Sequence, residues 1–379
     1  MNILLTTDYF PPHIGGGVEV VVYRLATELV RLGHRVAVIT LNTRHVKSQE
    51  ILNGVRVYRA NPIEFTQSIG AQSAISLEAL SLIRNVCRKE RVNIVHANSI
   101  FFFTTIAACA NKIIAKTPVV TTLHGGSMSE LEGALGIFTN LYERSVGKWI
   151  LRTSNHLTAV SQVVMKHAET LGAPRWKISV IPNAVDVQEF NPRPHVGKKQ
   201  GVTVAFVGRL LSNKGPQFLV EAAPAIVREF SPVRFLIVGE GPMLNHLRER
   251  VSKLGLNKQF DFLGMVPSVA QFLRNCDIYV RPSLSEGMPL TILEAMACGL
   301  PTVASDVAGT SEIVCPGKTG FLIEPKNTGQ LAFYILKLLK DEKLRSSMGR
   351  TARSIVEKSY GWGGVALQMS KLYGSILEQ

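Results

Sequence analysis

Two acidic and two basic residues carry the chemistry open to this chain. Glu286 and Glu294 stand eight apart within Arg281 to Gly309, which reads RPSLSEGMPLTILEAMACGLPTVASDVAG. Gly287 follows the first glutamate. Pro289 is predicted to open a helix running on through Leu290–Cys298, since the missing N–H of proline has no helical partner at that position. Leu293, Met296 and Ala297 would face inward, and Gly299 and Pro301 end the helix. The N–H groups around Gly287 to Leu290 and the positive end of the helix dipole make an anion site. With two carboxylates beside it, the stretch suits a ligand bearing both phosphate and sugar hydroxyls. Glutamates at this spacing also arise by chance, and an acid in a first turn also balances the dipole.

The cations come earlier in the chain. Val202–Val207 reads as a strand, followed by Gly208-Arg209 and, five residues on, Lys214-Gly215, then a helix over Pro216–Phe230. Arg209 can fork two phosphate oxygens and Lys214 adds a point charge at the helix entrance. Loop cations are also commonly just solvated. His124 closes the strand Val119–Leu123 ahead of two glycines, at the carboxyl edge where open α/β sheets bind ligands. A lone histidine is, by type, more often structural.

The segment SEGMPLTILEAMACGLPTVAS resembles the signature of family 4 retaining glycosyltransferases of GT-B architecture, and the G-R-x5-K-G loop resembles that family's diphosphate-binding pair. The resemblance covers nearly the whole chain and is strongest in 202–320. It implies an α/β fold of two Rossmann-like doubly wound domains facing across a cleft. An acceptor-binding domain would span 1–192, completed by a C-terminal helix in 362–379, and a donor-binding domain 193–361. The implied catalytic residues are Glu286, His124, Arg209 and Lys214. Glu286 and His124 would meet the donor sugar's hydroxyls, Glu294 the ribose, and Gly287, Met288, Pro289 and Leu290 the phosphates. The loop of Gly16 and Gly17 would lie against donor phosphates and acceptor, Gly239 would form a carboxyl-end turn, and Met265 and Val266 would pass the nucleobase. The implied reaction moves a hexose with retention from a nucleoside diphosphate sugar, GDP-mannose first and a UDP-hexose next, to a lipid-linked or saccharide acceptor. Front-face attack fits better than double displacement, because nothing marks Glu286 as a nucleophile. No cofactor is implied. The chain has no D-x-D, no H-E-x-x-H and no Cys/His cluster that would call for a metal. A GT-B nucleotide-sugar epimerase and a non-catalytic nucleotide-binding module are the alternatives.

The elements that must position these residues alternate. Asn2–Thr6 is a strand, Gly15 to Gly17 a loop, Val18–Leu32 a helix and Arg35–Thr40 a strand, which opens a doubly wound parallel sheet. The spacing is not G-x-G-x-x-G and no acid ends the second strand, so a nicotinamide dinucleotide site is not expected. Further strands are predicted at Val55–Arg59, Ile94–Ala97, Val119–Leu123, His156–Val160, Arg234–Val238, Phe260–Leu263 and Asp277–Val280. A linker is expected over 191–201, a hairpin-like edge over Gly317–Ile323, and helices at Thr328–Lys340 and Val365–Glu378. Glu19, in the first turn of its helix, reads as dipole compensation, Asn183 and Asp186 as turn formers, and Trp362 as a packing anchor.

With 379 residues and 46% hydrophobic content, the chain is long enough for two domains. No apolar run approaches the roughly 18 residues of a membrane span, and the first residues lack a signal-peptide pattern. The odd count of five cysteines argues against a disulfide framework. A cytoplasmic chain is expected. A net charge of +14 points to anionic partners, and no nucleic-acid-binding motif is visible. Phe101 to Phe103 and an apolar 127–141 segment (Met128, Leu131, Leu135, Ile137, Phe138) adjoin Arg144, Lys148 and Arg152, four apart beside Trp149. That face suits docking at the inner face of an anionic membrane, or equally a packed core with a solvated helix side.

Overall fold

The computed structural model describes residues 1–13, 16–44, 46–63, 75–125, 134–192 and 201–378. The chain divides into two compact units, one of Met1–Asn183 with Trp362–Gln379, the other of Ala184–Gly361. In the first, strands β1 (Asn2–Thr6), β2 (Arg35–Leu41), β3 (Gln49–Leu52), β4 (Val55–Ala60), β5 (Ile94–Asn98), β6 (Val119–Leu123), β7 (His156–Ala159) and β8 (Ile178–Val180) alternate with helices. These helices are α1 (Gly17–Arg31), α2 (Glu78–Lys89), α3 (Phe103–Ala115), α4 (Ala134–Tyr142), α5 (Lys148–Thr153) and α6 (Gln162–Thr170). The second unit holds β9 (Val202–Val207), β10 (Val233–Val238), β11 (Phe260–Gly264), β12 (Ile278–Arg281), β13 (Thr302–Ser305) and β14 (Gly320–Ile323). Its helices are α7 (Pro216–Glu229), α8 (Leu244–Lys253), α9 (Val269–Leu273), α10 (Leu290–Ala297), α11 (Thr328–Lys340) and α12 (Glu342–Ser359). Helix α13 (Trp362–Leu377) returns to the first unit. There Tyr373 Oη meets His96 Nδ1 at 2.5 Å and Ser370 Oγ meets His34 Nε2 at 2.7 Å.

Among the described residues the first sheet runs β3-β4-β2-β1-β5-β6-β7-β8 and the second β11-β10-β9-β12-β13-β14. Every neighbouring pair is parallel except β3 with β4. Parallel strands carry helices on both faces, so they read as continuous apolar runs. In the second unit Val204, Phe206, Phe235, Ile237, Ile278 and Val280 bury against Leu219 and Ile226 of α7 and Leu331 and Ile335 of α11. Strand order reverses between β1 and β5 in the first sheet and between β9 and β12 in the second. The carboxyl ends beside such a reversal are where doubly wound sheets bind ligands.

Four local expectations change. Pro289 caps α10 from outside, with ψ 115, and the helix proper begins at Leu290; a capping residue has non-helical backbone. The Gly317–Ile323 edge is a parallel strand on β13, not a hairpin. Strand β3 was not foreseen, because Gln49-Glu50-Ile51-Leu52 is a partly polar edge with no buried face. Residues 184–192 pack with the second unit, where the guanidinium of Arg353 donates to the carbonyls of Val187 and Phe190. The linker expected at 191–201 lies largely outside the described residues, as do Met128 and Leu131.

Candidate functional site

The second unit gathers its charged groups at the β9/β12 reversal. Gly208 and Arg209 follow β9, Arg281 ends β12, and the loop after it carries Ser283 and Glu286. Leu284 N donates to Asn213 O at 2.8 Å, which fastens this loop to the one holding Lys214. Glu286, only 8% exposed, is surrounded by donors. Arg281 Nε lies 2.9 Å and Nη2 2.7 Å from Oε1, Ser283 Oγ 2.7 Å from Oε1, and Lys214 Nζ 2.9 Å from Oε2. Burial by itself would raise the Glu286 carboxyl, but the charges of Arg281 and Lys214 outweigh it and hold the group at about 2. Burial pushes the Lys214 ammonium down against the pull of Glu286, and the positive charge of Arg209 is felt there too.

Arg281 itself is 6% exposed and fixed from three sides: Glu286, the Val207 carbonyl at 2.9 Å from Nη1, and the Phe206 ring, 5.6 Å from its guanidinium carbon. That arrangement needs glycine at 208. A Cβ there would stand 2.3 Å from Arg281 Nη1. Gly239, at the end of β10 with φ 128, presses on the same turn, and its own Cβ would come within 2.0 Å of the Gly208 carbonyl oxygen. The turn at β11 adjoins it, since Gly239 N donates to Gly264 O at 2.8 Å. Met265, exposed, and Val266, half-buried, continue from there. Met288 and Pro289 are buried, Gly287 and Leu290 half-buried, and α10 starts at Leu290, four residues past Glu286. Glu294 lies one turn into α10; its charge and that of Glu286 both reach the buried Tyr279 phenol, which burial pushes up to about 12. The structure thus joins Glu286, Lys214, Arg209, Gly239 and the α10 amino end in one neighbourhood.

The first unit has its own polar edge at the β1/β5 reversal. His124, just past β6, has Nε2 3.0 Å from Asn98 Oδ1, and burial holds its imidazole down at about 4. Asp8, fully buried just past β1, accepts from Phe103 N and Thr104 N at 2.9 Å each and from Thr104 Oγ1 at 2.8 Å, so it caps α3 from another element. Burial lifts its carboxyl to about 6, against those donors. Gly16 caps α1 and Gly17 is its first residue. Glu19 is buried in the first turn, deeper than a surface acid that merely balances a dipole.

Sequence reasoning missed Arg281, Ser283, Asp8 and Asn98. A signal existed for three of them: a charged or amide side chain at or just after the carboxyl end of an apolar strand. Elsewhere, Ser161 caps α6 through Val164 N at 3.2 Å, and Asp186 Oδ1 accepts from Gln188 N and Glu189 N at 3.0 Å each, as a turn former would. The basic stripe is altered: Glu143–Gly147 forms a π-helical turn between α4 and α5. The wider turn breaks the four-residue repeat, leaving Arg144 and Arg152 exposed and Lys148 half-buried. Among the described residues no three His, Cys, Asp or Glu converge as a metal site.

Comparison with known proteins extends over both units. Residues 15–189 match the family Glycosyltransferase Family 4, and residues 187–355 match Glycosyl transferases group 1. An uncharacterised glycosyltransferase of Methanocaldococcus jannaschii is 26% identical over 100% of this chain and 99% of its own. A phosphatidylinositol N-acetylglucosaminyltransferase subunit of Schizosaccharomyces pombe is 28% identical over 99% and 81%, and the glycogen synthase of Mycobacterium tuberculosis 27% over 98% and 94%. Among solved structures, sucrose-phosphate synthase from Thermosynechococcus elongatus superposes with TM-score 0.85 at 21% identity, covering 100% of this chain and 99% of that one. Anabaena HepE in complex with UDP-glucose gives TM-score 0.82 at 20% identity, covering 99% and 100%. These likenesses establish the fold, and the two family matches, overlapping at 187–189, together run from 15 to 355. The chain belongs to the family 4 glycosyltransferases of GT-B fold and is an enzyme that transfers a glycosyl group.

Proposed function

We propose that the chain moves a hexose, with retention and without a metal, from a nucleoside diphosphate sugar to a lipid-linked or saccharide acceptor. The observation that carries this reading is the Arg281–Glu286–Lys214 cluster, with Arg209 beside it and the amino end of α10 behind it. As the bond from anomeric carbon to diphosphate breaks, negative charge grows on the departing oxygen. Preorganised cations and helix amides stabilise that charge. Arg209 and Lys214 supply it here, while Arg281 stays on Glu286. The acceptor oxygen forms the new bond on the same face, and its proton passes to the leaving phosphate. A carboxylate held at about 2 by its cationic neighbours is a weak nucleophile and a weak base, which favours Glu286 as a sugar-hydroxyl acceptor over a covalent partner. Glu294 would take the ribose hydroxyls, Met265 and Val266 the base.

The family resemblance alone puts GDP-mannose ahead of UDP-hexoses, since no residue of the sequence names the base or the sugar. The solved structures of Anabaena HepE, similar in fold, hold UDP or UDP-glucose, which moves uridine donors to the front of the test. Thermal shifts with GDP, UDP, ADP and their sugar conjugates, followed by product analysis, decide the donor and its anomeric outcome. Transfer should persist in a chelator; its complete loss there would refute the metal-free step.

A peripheral stand on anionic membrane is proposed for the first unit. Helix α4 presents Ile137, Phe138 and Leu141 at 75%, 65% and 67% exposure, with Arg144 just beyond. An apolar helix face flanked by cations suits a headgroup boundary. Relatives named for phosphatidylinositol are consistent with a lipid acceptor.

A further inference from the structure

Asn98, the last residue of β5, is 1% exposed, and its amide has neighbours on both sides. Nδ2 lies 3.2 Å from the Thr6 carbonyl and 3.5 Å from the His96 carbonyl, while Oδ1 lies 3.0 Å from His124 Nε2. Carbonyls only accept, so the NH2 group has to face them; the flipped amide would set oxygen against oxygen. Oδ1 is then the atom facing the imidazole, and it too can only accept. We propose that Asn98 is a positioning residue that fixes the tautomer of His124, with the proton on Nε2 and Nδ1 left as a bare acceptor for a substrate hydroxyl. What Nδ1 accepts rests on the transferase reading. The tautomer itself does not.

The amide is braced by its surroundings. Thr105 Oγ1 donates to the Asn98 carbonyl at 3.0 Å. The neighbouring titratable ring, His96, is occupied at both nitrogens, by Tyr373 Oη and by Thr122 Oγ1 at 2.5 Å each, and Thr122 Oγ1 meets Thr158 Oγ1 at 2.5 Å. His96 therefore has no nitrogen to spare for His124. Burial keeps His124 and His96 neutral at pH 7, at about 4 and about 3. A neutral ring with Nε2–H tied to Asn98 accepts a hydrogen bond at its other nitrogen and donates none there. That polarity suits a group that can donate, such as a sugar hydroxyl, and works against one that only accepts, such as a phosphate oxygen.

The test is 15N-histidine NMR on the full chain, with His124 identified by the signals that vanish in His124→Gln. Wild type should show a single Nε2–H tautomer across neutral pH. Asn98→Ala should release a tautomer mixture. Asn98→Asp should bring ring protonation into the neutral range, because an opposite charge within ~4 Å favours the charged form. Turnover in Asn98→Ala should fall about 10- to 100-fold, by analogy with the loss when a metal-binding histidine is deprived of the partner that orients it. The Kd for nucleoside diphosphate should not move, since among the described residues Asn98 has no hydrogen-bond contact with the groups proposed to hold the phosphates. An Nδ1–H tautomer in wild type overturns the proposal, and that spectrum decides the matter even where Asn98→Ala fails to fold. So does Asn98→Ala with wild-type ring signals. If wild type turns over no nucleotide sugar, the transferase reading falls while the ring signals still judge the tautomer.

Discussion

Glu286 accepts from two cations and a hydroxyl in a nearly dry setting, and that company sets its stability behaviour. Its folded value, about 2, lies below the ordinary 4.5. The contribution is therefore complete above the ordinary value and is lost as pH falls from there toward 2. By linkage it amounts to about 3 kcal/mol. Urea melts across that acid range should show the loss, and Glu286→Gln should flatten it. Arg281→Ala should cost about 3–5 kcal/mol, as breaking a buried pair does, again read by urea. Lys214→Ala should cost less stability than Arg281→Ala, because Lys214 is the more exposed partner and Arg281 and Ser283 remain on Glu286, while turnover drops roughly 10²–10³-fold, the cost of one charge-stabilising donor. A Lys214→Ala enzyme with full turnover would remove it from the phosphate role. Two glutamates eight apart, or a pair of loop cations, are weak signals alone. Glu286, Arg209 and Lys214, which the structure brings together, were picked out with Glu294 by the resemblance of the segments around them. Arg281 was not, since an arginine ending an apolar strand looks like a solvent-facing cap. Asp8 and Asn98 find their partners 96 and 26 residues away, a pairing no local pattern reports.

At the level of strands and helices, buried parallel strands announced themselves as apolar runs, and the glycines closing them marked ligand-edge turns. Gly239→Ala tests how tightly those turns are packed. With its Cβ 2.0 Å from the Gly208 oxygen, the backbone has to shift. A cost of about 1–3 kcal/mol follows from overpacking, accompanied by weaker nucleotide binding in isothermal titration. Illegible were the features that depend on interruption. The π-helical turn at Glu143–Gly147 leaves no mark in residue type, and it dissolved an even basic stripe into two exposed arginines with a half-buried lysine between. The apolar face of α4 survived that change. Replacing Ile137 and Phe138 together by Glu should abolish flotation with phosphatidylserine vesicles at low salt and leave the melting temperature unchanged. Equal flotation of that variant would refute the membrane stand.

For the whole chain, Arg209, Lys214 and the α10 amino end, proposed for the diphosphate, sit in the second unit, and His124 with Asn98 in the first. Nucleoside diphosphate at 100 times its Kd should add about 2.7 kcal/mol to the state it binds. Hydrogen exchange should show that protection first over 208–215 and 284–292, with the first sheet little altered; protection confined to the first unit would invert the assignment. The positive charge of +14 adds salt dependence to any anionic partner. The helix α13 return carries a further consequence. Residues 184–361 are an insertion within the chain of the first unit, and the two ends of that insertion lie side by side, because Val185 pairs with Gly361 and donates to the Tyr360 carbonyl at 2.8 Å. The gene can therefore be spliced: Asn183 joined to Trp362 through a short glycine-serine bridge should yield a free-standing first unit, whereas simple truncation at 183 would strip His96 of its Tyr373 partner.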